Sequence, residues 1–423
     1  MSTRIKRSTC GSLILVCSAL LAGCTFLGLA NGGGNPPPGQ SSGGVVRHDI
    51  EQATSDRAQL TTIAFDALAW LTGDFCSDTF LPPGKVTDYF GFQYLRDNDP
   101  DELGHNTSFV PRIANAVLAI LTDDQIADLV SLAETQVDEI NAIAEARFPM
   151  IDAFRRHLEG DLPAGASGLS EEAIAAYGAS LFRLDGEVSL GRAIGLGAIA
   201  RSLTDMQRAE LDALVGGSSR WPDLPDQVDK RTMSHDVHVA VMTYASEFFS
   251  WYAGSVEADV YFCPERHGTY FGSFYLKDMP AMGNPDYSIP TELTGDQGEA
   301  FMTVLDASQR AIIENLVDEQ RVALMEIVEI REDISIELRK LMTQSSIDEA
   351  YVLERAERYG ELDGKIAAMY ATAFTEVYRT LSASQLAEVE KLRNLDGYVC
   401  NGAYLFSNNI PMPYIASTDA LFE

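Results

Sequence analysis

The sequence predicts an all-α protein: two homologous modules of long antiparallel helical hairpins. Three observations carry this. Apolar residues recur at three-four spacing for many turns, a pattern that no strand reading fits. A helix-starting motif occurs four times, as Leu121-Thr122-Asp123-Asp124-Gln125, Leu203-Thr204-Asp205-Met206-Gln207, Leu305-Asp306-Ala307-Ser308-Gln309 and Leu381-Ser382-Ala383-Ser384-Gln385. Much of the chain is also written twice, with landmarks such as Trp70 and Trp251 lying 181 positions apart. A period of that length marks repeated modules.

The chain begins with Arg4, Lys6 and Arg7 ahead of an apolar run from Leu13 to Leu21, too short for a stable membrane span. That run ends in Leu21-Ala22-Gly23-Cys24, which resembles a bacterial lipobox. Residues 1–23 are therefore expected to be a lipoprotein signal peptide. Cys24 is expected to be diacylated and to become the new N-terminus. Thr25 rather than Asp follows it, which by analogy favours sorting to the outer membrane, on the periplasmic face or the cell surface. Residues 24–49, rich in Gly, Pro and Ser, read as a lipidated flexible tether with a reach of about 25 Å.

Module 1 is placed at residues 50–216 and module 2 at 235–397, with a linker at 217–234 and a C-terminal tail at 398–423. Phe75-Cys76 answers to Phe262-Cys263, and Tyr89-Phe90-Gly91 with Tyr94 answers to Tyr270-Phe271-Gly272 with Tyr275. Tyr177-Gly178 and Leu184-Asp185-Gly186 match Tyr359-Gly360 and Leu362-Asp363-Gly364. The first capping motif answers to the third and the second to the fourth.

Each motif is a capping box. The Thr, Asp or Ser oxygen of Thr122, Thr204, Asp306 or Ser382 accepts from free amides of the new helix, and the Gln of Gln125, Gln207, Gln309 or Gln385 reaches back to the cap amide. The preceding Leu121, Leu203, Leu305 or Leu381 serves as the staple. After Thr122 the apolar stripe runs from Ile126 to Leu158, interrupted by Pro149, where a kink is expected. After Asp306 it runs from Ile313 to Leu341 without a proline, and the opposite face carries Glu314, Asp318, Glu319, Glu326, Glu329, Glu332 and Asp333. A second long helix is expected over Ser170–Arg201 and over Ile347–Arg379. The break before it is Gly-rich in module 1 (Gly160 to Gly168) and tighter in module 2 (Thr343 to Ser346). Such short breaks make antiparallel hairpins.

Long helical hairpins opened by paired boxes, in an exported lipoprotein, resemble the Spy/CpxP family of periplasmic LTxxQ proteins. Leu121–Gln125 and Leu203–Gln207 carry the full motif, whereas the third and fourth boxes replace Thr with Asp or Ser. The resemblance implies a stress- or metal-linked envelope protein, typically an ATP-independent chaperone whose two hairpins form a cradle. Here two modules in one chain are expected to supply that cradle as a built-in pseudo-dimer. The expected partners are the membrane, through the lipid anchor, and unfolded or exposed envelope proteins. A metal-binding or metal-sensing protein and a structural surface lipoprotein are the alternative readings.

The charge narrows the partners. Lys and Arg number 31 against 62 Asp and Glu, a formal net charge of −31. A polyanion such as nucleic acid is repelled by such a chain. Tyr89, Phe90, Phe92 and Tyr94, with Tyr270, Phe271, Phe274 and Tyr275, form aromatic segments that either plug the hairpin ends or offer a client surface. Cys263 and Cys400 flank module 2 and are the favoured disulfide pair, Cys400 lying in a partial third copy of the Cys-aromatic segment. His235 and His238 share a helix face, but no third metal ligand is visible, and no metal site or cofactor is assigned. No nucleophile elbow, P-loop, HExxH or dinucleotide glycine motif occurs, so no enzyme activity is expected.

Overall fold

The computed structural model describes residues 54–73, 95–96, 109–214, 221–254, 256, 295–393, 403–405, 408–410 and 414–423. These residues are all-α in class, with eleven helices. They are α1 (Asp56–Thr72), α2 (Phe109–Leu118), α3 (Asp123–Ala146), α4 (Phe148–Glu159), α5 (Glu171–Ser202), α6 (Asp205–Leu214), α7 (His235–Ala253), α8 (Gly295–Val304), α9 (Ala307–Arg339), α10 (Glu349–Thr380) and α11 (Ala383–Arg393). One small antiparallel sheet joins β1 (Leu95–Arg96), β2 (Ala403–Leu405) and β3 (Asn408–Ile410) in that order.

The long helices start where their caps place them. Thr122 opens α3 and Asp306 opens α9, each with both halves of the capping box formed. Ser170 and Asp348 cap α5 and α10 with single side-chain bonds. Pro149 has its expected effect. The first stripe divides at Arg147 into α3 and α4, with the proline in the opening turn of α4, where its missing N–H costs nothing. The proline-free α9 runs unbroken for 33 residues.

The helices do not pack by sequence module. α1, from the first repeat, is buried among α8, α9, α10 and α11 of the second, while α7, from the second, packs on α2 and α3 of the first. Sequence repeat and packing unit therefore differ by an exchange of opening helices. Both exchanged helices are buried nearly all round. Ile63, Ala64, Phe65, Ala67, Leu68 and Trp70 of α1 are buried, as are Ala240, Val241, Tyr244, Ala245, Phe248 and Phe249 of α7. A helix of that kind belongs at the centre of a unit.

The two units meet along α5 and α10, the most extensive contact between any two helices among the described residues. The pair runs antiparallel, since Gly178 meets Gly364 while Gly186 meets Ala356. A Cβ on Gly178 would lie 2.4 Å from the Gly360 carbonyl oxygen, and one on Gly360 would lie 2.3 Å from that of Gly178. Only glycine permits so close an approach. The caps Ser170 and Asp348 put the two helices in register at a shift of 178 positions. Under that shift the two glycine contacts just named are one contact made twice, and Gly360 touches Phe182, its own counterpart. The sequence match of Tyr177-Gly178 to Tyr359-Gly360 is one helical turn out of this register. The two glycines are alike because they face each other, not because they are equivalent.

A further pair of contacts ties the units. The Arg201 guanidinium donates to the Leu341 carbonyl, and Arg379 donates to the His157 carbonyl at 3.2 Å. The Gly-rich break after α4 receives the end of the chain. Ser170 N–H donates to the Leu421 carbonyl at 2.9 Å, Leu169 bridges to Phe422, and the Arg156 guanidinium donates to Thr418 at 2.9 Å and Asp419 at 2.8 Å. The corresponding break after α9 closes instead in a short 3-10 turn, Lys340–Met342.

Candidate functional site

The four boxes come together in two pairs. In the first, Gln207 Nε2 donates to Gln125 Oε1 at 2.7 Å and to the Ile120 carbonyl at 2.9 Å, and Gln125 Nε2 donates to Ser202 Oγ at 2.8 Å. In the second, Gln385 Nε2 donates to Gln309 Oε1 at 2.7 Å and to the Val304 carbonyl at 3.0 Å, and Gln309 Nε2 donates to the Thr380 carbonyl at 3.1 Å. Meanwhile Thr204 and Ser382 cap their own helices, accepting from the Gln207 and Gln385 amides at 3.2 Å. Each box therefore starts one helix and clasps the box that starts another. Leu121, Leu203 and Leu305 are buried beneath the clasps, and Leu381 is partly so. Bonded to one another in this way, the boxes tie the starts of their helices together.

Each unit holds a buried polar cluster at the same place, with different chemistry. In the first, Arg192 is fully buried and donates to Gln136 Oε1, Glu247 Oε2 and Tyr244 OH, each at 3.3 Å. Its guanidinium lies 4.4 Å from the Tyr244 ring centroid, and Gln136 also donates to the Val188 carbonyl at 2.7 Å. In the second unit Tyr370 stands in the place of Arg192. Its hydroxyl bonds Gln320, which donates to Gln59 at 3.0 Å, and Asp66 stands in the place of Glu247. Burial, and then the charges of Asp66 and Asp363, raise the Tyr370 hydroxyl well above its ordinary value, so it stays neutral. Arg147 with Asp185 and Arg331 with Asp363, equivalent between the repeats, are also buried. These groups fix helix register from inside the units.

The outer face of α9 is different. Val322, Met325 and Ile336 are 80%, 41% and 45% exposed. Among the described residues only five large apolar side chains are this exposed, and these are three of them. At 3.6 residues per turn the three fall on one line about 21 Å long. Glu329 and Glu332 lie between Met325 and Ile336 on the same side, and Glu314 and Glu319 lie before Val322. All four are exposed and have no ion-pair partner among the described residues. The other carboxylates of the helix are neutralised. Asp318 pairs with Arg321 at 2.8 Å, Glu326 with Arg358 at 2.7 Å, and Asp333 with Arg355. The Arg358 bond is the main reason the Glu326 carboxyl sits below its ordinary value.

Sequence reasoning listed the buried stripe of α9 correctly and missed this line. The signal was present as three large apolar residues off the stripe, on a face otherwise made of acids. The repeat sharpens it. A shift of 184 positions takes Thr122 to Asp306, and it puts Asp138, Asn141 and Asp152 where α9 has Val322, Met325 and Ile336.

Other expected residues are accounted for briefly. Tyr89, Phe90, Phe92, Tyr94, Tyr270, Phe271, Phe274 and Tyr275 lie outside the described residues, as do Cys24, Cys263 and Cys400. His235 and His238 open α7, the former exposed and the latter partly buried. Burial, first of all, lowers the His238 imidazole below its ordinary value. No group of three possible metal ligands gathers among the described residues.

No protein-family model, curated protein or solved structure matches this chain. The likeness to the Spy/CpxP family therefore stands on the boxes alone.

Proposed function

We propose that this is a membrane-anchored envelope protein that binds unfolded or exposed protein segments without ATP, in the manner of the Spy/CpxP family. The observation that carries the reading is the line Val322–Met325–Ile336, three exposed apolar side chains on one side of a single unbroken helix. A surface of that kind on an otherwise polar face is suited to contact with another chain. The matched contacts across α5 and α10, including Phe182 against its own counterpart Gly360, support a pseudo-dimeric arrangement of the two units. No helix among the described residues is long and apolar enough to cross a membrane, and this reading assigns attachment to the lipid on Cys24.

The test is suppression of aggregation of a reduced, unfolding protein by the mature chain, compared with a Val322→Asn/Met325→Asn/Ile336→Asn variant. Protection at an equimolar ratio, weakened in the variant, is the expected result. If the unaltered protein gives no protection at that ratio, the reading is to be abandoned.

A further inference from the structure

We infer that the segments taken by the α9 face are basic and amphipathic, carrying Lys or Arg beside their apolar residues. This deepens the client-binding reading and rests on it. The argument is one of charge complementarity at a defined place. Arg321, Arg355 and Arg358 neutralise the carboxylates at the edges of α9, and among the described residues Glu314, Glu319, Glu329 and Glu332 have no cation. Two of those four stand between Met325 and Ile336. A neutral apolar segment laid on the line would bring both carboxylates out of water without a partner, at a cost. An acidic segment would add repulsion from a chain of net charge −31. A second copy of α9 is disfavoured on the same ground, since it would bring like carboxylates face to face. A cation beside the apolar contact removes the penalty and turns it into an attraction.

The dimensions set the length of the segment. Covering the line from Val322 to Ile336 takes about 14 helical residues, or about 6 to 7 extended ones. The first repeat supplies no second such face, because the corresponding positions hold Asp138, Asn141 and Asp152.

Binding is read by fluorescence anisotropy with three labelled 18-residue peptides on the full mature chain. One is a Lys-Leu amphipathic helix. The second replaces every Lys with Glu, and the third scrambles the first so that charge is kept and the apolar face is lost. The cationic amphipathic peptide is expected to bind at least about tenfold more tightly than either control, and to weaken progressively as added salt shortens the screening length from about 10 Å to about 3 Å. Glu329→Gln/Glu332→Gln is expected to weaken it several-fold, and Val322→Asn/Met325→Asn/Ile336→Asn to reduce it to the level of the scrambled peptide. All five positions are exposed or partly so, and an unchanged helical melting curve verifies that each variant is folded.

Equal binding of the Glu peptide, or no effect of Glu329→Gln/Glu332→Gln, overturns the inference and leaves the client reading intact. Equal binding of the scrambled peptide also overturns it, showing a charge effect without an apolar site. If no peptide binds while aggregation is still suppressed, the basic-segment inference fails alone. If neither is seen, both readings fall together.

Discussion

The first long helix of each repeat begins with the same kind of box and shares the same buried skeleton, yet the two differ at several positions that meet water. Leu129, Gln136, Ile140, Arg147 and Phe154 in α3 and α4 answer to Ile313, Gln320, Leu324, Arg331 and Leu338 in α9, and all ten are buried. On the outside, exposed Asp138 answers to Val322, while Ile336 answers to Asp152, which is partly buried and accepts a hydrogen bond from Thr418 at 2.8 Å. The break after α4 receives the tail, while the break after α9 is closed by a turn. The comparison separates two kinds of residue. Those present in both copies hold the hairpins, and those present in one copy are free of that duty. Selection on stability alone gives no reason to place three large apolar side chains in water on one copy only.

The sharpest contrast inside the units is between the polar clusters, and it predicts the largest effect. Arg192→Ala leaves the Glu247 carboxylate buried without this cation and the Tyr244 hydroxyl without this donor, while Gln136 Oε1 keeps the bond from Tyr244 at 2.9 Å. It is expected to cost about 3–5 kcal/mol in urea unfolding, whereas Arg192→Met/Glu247→Leu recovers most of that. Tyr370→Phe, in the counterpart that has no arginine at this place, removes a single hydrogen bond to Gln320 and is expected to cost about 1 kcal/mol. Equal losses from Arg192→Ala and Tyr370→Phe would show that the charge in the first cluster contributes nothing particular.

The crossing of α5 and α10 comes next. On an ordinary helix Gly→Ala gains about 1 kcal/mol. At Gly360 the new methyl meets the backbone oxygen of Gly178, which cannot move without parting the helices, and a net loss of about 1–3 kcal/mol is expected. At Gly195 a methyl meets only the tip of Leu132, at 2.9 Å, so Gly195→Ala is the control that stays near neutral or gains. A Gly360→Ala variant as stable as the parent in thermal melts would mean that the close crossing is not needed.

Which of these features were legible in the sequence follows from how local their causes are. The helix starts were legible because a cap is made within four residues. Ser170 and the Pro149 break were placed within a residue or two of where the structure has them. The exchange of α1 and α7 was not legible. Either helix is buried nearly all round, and nothing in such a sequence says which helices will cover it. The Gly178–Gly360 contact was hidden for the same reason, since both its members read as a repeat rather than as neighbours. The meaning of the loop from Gly160 to Gly168 depends on a tail more than 250 residues away. The α9 line was written in the sequence, but it becomes visible only when the second copy shows what the position holds by default.

The two clasps offer a smaller contrast. Gln207 is 4% exposed, and its amide satisfies both Gln125 Oε1 and the Ile120 carbonyl. Gln385 makes the same bonds nearer to solvent. Gln207→Ala is therefore expected to cost about 1–3 kcal/mol, with the Ile120 carbonyl losing this donor and Gln125 Oε1 left with the Thr122 N–H, and Gln385→Ala about half of that because water replaces it. The measurement is the urea midpoint of each, with amide exchange at Gln125 and Gln309 reporting which helix start frays. A larger loss from Gln385→Ala would reverse the assignment of the first clasp as the tighter one.

The smallest expected effect is a pH dependence carried by one copy only. His157 is buried on α4, its Nδ1 makes no hydrogen bond, and its counterpart in the second repeat is Leu341, also buried. Burial, and after it the charge of Arg379, lowers the His157 imidazole below its ordinary value of about 6.5. The unfolded chain therefore binds this proton before the folded one does. The stabilising contribution is complete above about pH 6.5 and is lost as the pH falls from there through the lowered folded value, with a slope of at most about 1.4 kcal/mol per pH unit. His157→Leu installs the residue of the second repeat and removes both the titration and a buried polar atom. Melting temperatures taken between pH 7.5 and pH 5.5, above the range where carboxylates titrate, are expected to fall less in the variant than in the parent. His238, which burial also lowers, acts with the same sign, so part of the slope persists. An unchanged slope in His157→Leu would assign the pH response to histidines other than the one the two repeats do not share.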